Sequence, residues 1–196
     1  MRSIMKLYCN RPSPYGRKVL VAAHEAGLMD KIELQDVDPW SDPLDFHAAA
    51  PIGKIPALVT DAGTLLTESL LICDFLFAEG GKPPLIGDAR IDEMSRSGLF
   101  QGLIDAAFIS VIERRRPKDH QWDNWIDRQH RAIQRTLAVT KTPPSGRFDL
   151  GDISLACGLA YLDFRLPHLD WRGQYPDLAR WLDEVLERPS MTATKP

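Results

Sequence analysis

The sequence predicts an α/β module over residues 1–80, a short linker over 81–88, and an all-helical half over 89–196. Three observations carry this. Strand-like segments occur only in the first third, in the order β-α-β-(α)-β-β-α. The densest cluster of structure breakers, Gly80-Gly81-Lys82-Pro83-Pro84, follows them, and beyond it only 3.6-residue periodicity is found. Charge shifts at the same border: residues 1–80 hold 7 basic and 11 acidic groups, residues 81–196 hold 17 and 16.

Ile4 to Cys9 reads as a strand that stops at Asn10-Arg11-Pro12-Ser13-Pro14, because proline cannot donate to a ladder. Ser13 then offers an N-cap with Pro14 at the first helical position. Val19, Leu20, Ala22, Ala23 and Ala26 form an apolar helical face, and Gly27 supplies the C-cap. Ile32 to Val37 reads as a second strand. The Asp/Pro-rich stretch after it holds a short helix around 43–49. Lys54 to Val59, the turn Asp61-Ala62-Gly63-Thr64 and Leu65 to Thr67 read as a hairpin. Ser69 to Ala78 reads as a helix with Leu71, Ile72, Phe75 and Leu76 inward.

In the second half, Ile91 to Arg116 carries Leu99, Leu103, Ile104, Phe108, Val111 and Ile112 at helical spacing. Trp122, Trp125, Ile126, Ile133 and Leu137 mark a second helix, with both tryptophans expected in the core. Asp149 is an N-cap with Asp152 at N3, a capping box with a shortened acid, and Phe148 with Ile153 forms a hydrophobic staple. A last helix spans Pro176 to Glu187, before Pro189.

With 196 residues, 44% hydrophobic and 26% charged, the chain can bury a sizeable core. A net charge of -3 supplies no basic field for nucleic acid. Cys9, Cys73 and Cys157 are odd in number and lack a C-x-x-C pair, and the five histidines have no ligand spacing, so neither a disulfide framework nor a metal is expected. No apolar run is long enough to span a bilayer, which points to no membrane and a cytoplasmic protein.

Four motifs occur in order: Ser13-Pro14-Tyr15 with Arg17-Lys18-Val19; Pro51-Ile52-Gly53-Lys54-Ile55-Pro56-Ala57-Leu58; Thr67-Glu68-Ser69 with Ile72-Cys73-Asp74-Phe75-Leu76; and Asp149-x-x-Asp152. In this order and spacing the chain resembles the cytosolic glutathione transferases, serine type, over almost its whole length. The resemblance implies a thioredoxin-like domain that holds glutathione as co-substrate and a helical domain that shapes the pocket for a small electrophile.

It further implies that the Ser13 hydroxyl donates to the glutathione sulfur and that Pro56 is cis, turning the Ile55 backbone toward the cysteinyl part. The helix start at Ser69 would bind the γ-glutamyl carboxylate while Glu68 pairs with its ammonium, and Lys54 is a candidate for the glycyl carboxylate. Asp105, with Gln101 in competition, would reach the partner's ligand across a homodimer. Arg114-Arg115-Arg116 reads as a solvated helix end, and Cys9 as a structural thiol on its strand.

A thiol of pKa about 8.5 is roughly 3% ionised at pH 7, and a shift of about two units makes it roughly three-quarters thiolate for ~2.7 kcal/mol. Nucleophilicity falls with pKa, so the net gain is only about two- to four-fold, and most acceleration must come from positioning the electrophile. The expected activity is conjugation of glutathione to a small apolar electrophile in detoxification. The alternatives are a binding or regulatory protein on the same scaffold, or a glutathione-dependent isomerase or disulfide reductase.

Overall fold

In a computed structural model, residues 4–83 and 85–196 are described. They divide into two compact units, Met1–Leu85 with Pro189–Pro196, and Ile86–Arg188. The first unit has strands β1 (Met5–Cys9), β2 (Ile32–Asp36), β3 (Ala57–Val59) and β4 (Leu65–Thr67) in one sheet of order β2-β1-β3-β4. β1 is parallel to β2 and antiparallel to β3, which is antiparallel to β4. Helices α1 (Pro14–Glu25), α2 (Leu44–Ala49) and α3 (Ser69–Glu79) complete the α/β part.

Period-two alternation along β1 sorts the sheet into two faces. Met5, Leu7 and Cys9 are buried on one face, while Lys6 and Tyr8 point to the other. On that second face Phe46 of α2 meets Tyr8 at a ring separation of 5.5 Å, in a small core with Ala50, Ala57, Ile55 and Leu65. The parallel β1–β2 pair requires a crossover, and α1 supplies it, packing against α3.

The local signals of α1 work as the sequence indicates. Ser13 caps its start, Pro14 opens it, and its end is a Schellman motif: Leu28 N–H donates to Ala23 C=O (2.9 Å), Gly27 N–H donates to His24 C=O (3.0 Å), and Gly27 has φ +68. Where α1 and α3 end, Gly80 is required for another reason. A Cβ there would lie 2.7 Å from the Ala26 carbonyl oxygen. Within α3, Ile72, Cys73 and Leu76 are buried, but Leu71 is 65% exposed rather than inward.

The second unit consists of α4 (Gly87–Glu113), α5 (Asp123–Val139), α6 (Leu150–Arg165), α7 (Trp171–Gln174) and α8 (Pro176–Leu186). α4 packs on both α5 and α6. It starts at Gly87, inside the stretch read as linker, and its buried face is Glu93, Ser97, Phe100, Leu103, Ile104, Ala106, Ala107 and Ser110. Leu99 is 40% exposed, so the inner face of α4 is lined by smaller residues than the apolar periodicity selects. Trp122 is 62% exposed, which removes it from the core; it stacks on Trp125 at 5.8 Å instead.

The start of α6 is the most highly bonded point of the helical unit. Asp149 accepts from Asp152 N–H (3.0 Å), and Asp152 accepts from Asp149 N–H (3.3 Å), so the shortened box closes. Arg96 of α4 donates to Asp149 (2.6 Å) and Asp152 (3.1 Å), and Arg147 donates to both oxygens of Asp152 (2.9 and 3.0 Å). Hydrogen bonding to Arg96 holds the Asp149 carboxyl below its usual range, against the opposing effect of burial.

His130 on α5 is held below its ordinary pKa of 6.5, first by burial and then by Arg114 and His168, with Asp127 opposing. The unfolded chain therefore takes up a proton before the folded one does. The helical unit is expected to lose stability as pH falls below 6.5, down to the folded-state value, and to keep it above 6.5. Urea midpoints of the wild type and His130→Phe across this range test the point; the variant should show the shallower slope.

The last helix, α9 (Pro189–Ala193), lies with the first unit although the sequence groups 189–196 with the helical half. It packs on α1. Arg17 donates to the Met191 carbonyl (3.2 Å), Arg11 to the Lys195 carbonyl (3.3 Å), and Ser190 Oγ to Glu25 (2.6 Å).

Candidate functional site

Strand register brings the predicted residues of the α/β unit to one place. Ala57 is paired with both Tyr8 and Thr67. The residues just before Ala57, just after β1 and just after β4 therefore share one end of the sheet: Ile55-Pro56, the loop to Ser13, and Glu68-Ser69. Because β1 and β4 both run antiparallel to β3, α1 and α3 both begin at that end. Two helix N-termini, each with unpaired N–H groups and partial positive charge, thus flank the same end of the sheet.

Ser13 is half-buried at the start of α1, where its Oγ accepts from Gly16 N–H at 3.1 Å. Accepting this bond leaves the hydroxyl hydrogen to be donated elsewhere, so capping and binding of an anion are not exclusive roles. The loop before it is held by Asn10 Nδ2 donating to the Val37 carbonyl (3.1 Å). A Cβ on residue 16 would approach the Asn10 carbonyl oxygen to 3.1 Å, so a glycine lets the loop fold tightly over the helix start.

The Ile55–Pro56 peptide bond is cis. Glu68, at the N-cap of α3, has φ 68 and ψ 116, a conformation an L-residue adopts only when its surroundings enforce it, at about 1–3 kcal/mol. Glu68 is exposed and its side chain makes no capping bond to α3. Ser69 is 2% exposed, and its Oγ is sealed without a hydrogen-bond partner. A buried hydroxyl normally finds a partner, and the Ser69 hydroxyl, at the first position of α3, has none.

The remaining predicted residues are placed less closely. Lys54 is exposed. Asp105 and Gln101 lie one turn apart on α4 of the helical unit, and Gln101 Nε2 donates to Asp105 Oδ1 at 3.2 Å, so the two competing candidates bond to each other. Burial and, secondarily, Asp36 push the Cys9 thiol up to about 11, which leaves it protonated and unreactive at neutral pH. Among the described residues no group of three or more His, Cys, Asp or Glu could hold a metal ion, and no helix is long and apolar enough to cross a membrane.

Two supports of this site escape sequence reasoning. Asn10 ties the loop before Ser13 to β2, and Arg17, 4% exposed, ties α1 to the C-terminal segment. Neither bond carries a local signal, because the acceptor carbonyls lie 27 and 174 residues away.

A four-stranded mixed sheet with a cis-proline and two helix N-termini at one end, followed by a separate helical unit, defines a thioredoxin-like binding domain coupled to an α-helical domain. Residues 12–79 match the family model of the glutathione S-transferase N-terminal domain, and residues 123–184 that of its C-terminal domain. The chain belongs to the glutathione S-transferase superfamily.

It is 39% identical to a glutathione transferase family member of Pseudomonas fluorescens solved with bound glutathione, with 98% of each chain covered and a TM-score of 0.92. A second Pseudomonas fluorescens structure, with bound S-(propanoic acid)-glutathione, is 38% identical, covers 98% of this chain and 97% of that one, and has a TM-score of 0.87. The uncharacterised GST-like protein YibF of Escherichia coli is 27% identical over 201 residues, 98% of each chain.

Proposed function

We propose that the chain is a serine-type glutathione transferase, which binds glutathione at the shared sheet end of its α/β unit and joins the thiol to a small electrophile. Ser13 donates its hydroxyl proton to the glutathione sulfur, the Ile55 backbone pairs with the cysteinyl part, and Ser69 Oγ with the α3 N-terminus holds the γ-glutamyl carboxylate. Glu68 pairs with the ammonium of the same end. Lys54 serves the glycyl carboxylate. The homodimer, the reach of Asp105 or Gln101 to a partner's ligand, the cytoplasmic location and a detoxifying role belong to the same reading.

The observation that carries it is the pairing, two residues long, of an enforced backbone at Glu68 with the orphan hydroxyl of Ser69. One acceptor and one donor then face the opposite charges of a single amino-acid terminus. Support also comes from the structural neighbours with bound glutathione and with a glutathione whose sulfur carries a propanoic acid group, the kind of thioether that carbon–sulfur bond formation yields.

Calorimetric titration with glutathione tests the reading. Each of Ser69→Ala and Glu68→Gln is expected to weaken binding by about ten-fold or more, since the first removes a hydrogen bond to a charged group and the second removes the negative charge that pairs with the ammonium. Absence of any heat in the wild type at millimolar glutathione would refute it.

A further inference from the structure

One buried positive charge of the α/β unit has no anion beside it. Arg17, on the first turn of α1, is 4% exposed. Its Nη2 donates to the Met191 carbonyl at 3.2 Å, and its Nε is sealed from solvent without a hydrogen-bond partner. Among the described residues no carboxylate lies within ion-pair distance of it. The other buried charged side chains are answered: Asp152 by Arg96 and Arg147, Glu93 by Arg90, and the fully buried Lys18 also has a partner. A guanidinium keeps its charge when buried, and a buried charge without a counter-ion is costly unless an anion completes the site.

Its place in the fold says which anion that is. The Arg17 N–H donates to the Ser13 carbonyl at 2.9 Å, so the two residues are one helical turn apart. Side chains on a helix lean toward its N-terminus, which carries the Arg17 stem toward the Ser13 end of α1. The bonds of α9 agree. Ser190, near its start, bonds to Glu25 at the far end of α1, whereas Arg11, in the loop before Ser13, donates to the Lys195 carbonyl just past the end of α9. The C-terminal segment thus runs back along α1 toward Ser13, and Arg17 is bonded to it on the way. Lys18 cannot stand in for Arg17, since successive helical residues do not share a face.

We propose that Arg17 is a positioning residue for the ionised sulfur of glutathione, a fixed positive charge beneath the start of α1 that favours the thiolate at Ser13 without touching it. Ser13 contributes a hydrogen bond, the α1 N-terminus a partial charge, and Arg17 a full charge held away from water, where attraction is weakly screened. The thiol proton leaves to solvent and the electron pair stays on sulfur. This role rests on the transferase reading given above and adds a third source of acidity to the hydroxyl and the helix end.

The thiol pKa of bound glutathione, followed by the ultraviolet absorbance of the thiolate, is the first readout. Arg17→Gln keeps a donor for the Met191 carbonyl and loses the charge, and it is expected to raise that pKa by about one unit. Arg17→Lys keeps the charge and should restore most of the difference. The second readout is the ratio of the dissociation constant of glutathione to that of S-methylglutathione, whose sulfur cannot ionise. At pH 8 this ratio should rise about five- to ten-fold in Arg17→Gln, because binding no longer gains as much from ionisation. A merely structural role would weaken both ligands and leave the ratio unchanged. Arg17→Met, neutral and apolar, takes the place of Arg17→Gln if that variant does not fold.

An equal rise of the thiol pKa in Arg17→Gln and Arg17→Lys would assign the effect to the shape of the guanidinium and overturn the charge role. An unchanged pKa and ratio in Arg17→Gln, or a wild-type thiol no more acidic bound than free, overturns the proposal and leaves glutathione recognition standing. No binding of either ligand by the wild type overturns both.

Discussion

Replacing Asp152 with Ala is expected to lower the thermal midpoint of the helical unit by about 6–12 °C, the largest stability effect of any single substitution considered. Asp152 has no exposed side-chain surface, and it answers Arg96, Arg147 and the Asp149 backbone N–H together. Its removal leaves Arg96, whose side chain is 18% exposed, with Asp149 and Asp92 as remaining partners. Breaking a buried pair from one side costs about 3–5 kcal/mol, and the surviving Arg96 bonds place the loss near about 3 kcal/mol. For a chain of this size that corresponds to roughly 2–4 °C per kcal/mol. Asp152→Asn keeps an acceptor for the cap and should lose about half as much. Differential scanning calorimetry of the three proteins checks the order; a loss under about 1 kcal/mol for Asp152→Ala would mean that the arginines find solvent.

Ser13→Ala is expected to raise the pKa of bound glutathione by about one to two units. A hydrogen bond to a charged group is worth about 1.5–3 kcal/mol, and one unit corresponds to about 1.4 kcal/mol. The same substitution also removes the cap that accepts from Gly16 N–H, with a stability cost of about 1 kcal/mol. Ser13→Asp separates the two effects: aspartate caps well but faces the sulfur with a negative charge, so stability should return while the thiol pKa rises further. Ultraviolet titration of the thiolate in the complex reads the first quantity and thermal unfolding the second. An unchanged thiol pKa in Ser13→Ala would remove Ser13 from the chemistry.

Local signals proved readable wherever the partner of a group lies within a few residues. The Ser13-Pro14 start and Gly27 end of α1, and the reciprocal bonds of Asp149 and Asp152, are of this kind. Burial was readable only where a face has an unambiguous partner. Leu71 and Trp122 have the right spacing, yet periodicity says that a helix is two-sided without saying which apolar residues are covered. Glu68 illustrates a third limit. Nothing in a glutamate at a helix start announces φ 68, since only the packing around it can enforce that backbone. The orphaned Ser69 hydroxyl and Arg17 Nε belong to the same category, being defined by what does not surround them.

The return of Pro189–Pro196 to the α/β unit makes that unit discontinuous in sequence, with the helical unit inserted between its parts. On the ribosome, the Met191 carbonyl that accepts from the buried Arg17 is made 174 residues later, after the helical unit. Vectorial synthesis therefore cannot complete the contacts between α1 and α9 before the helical unit has been made.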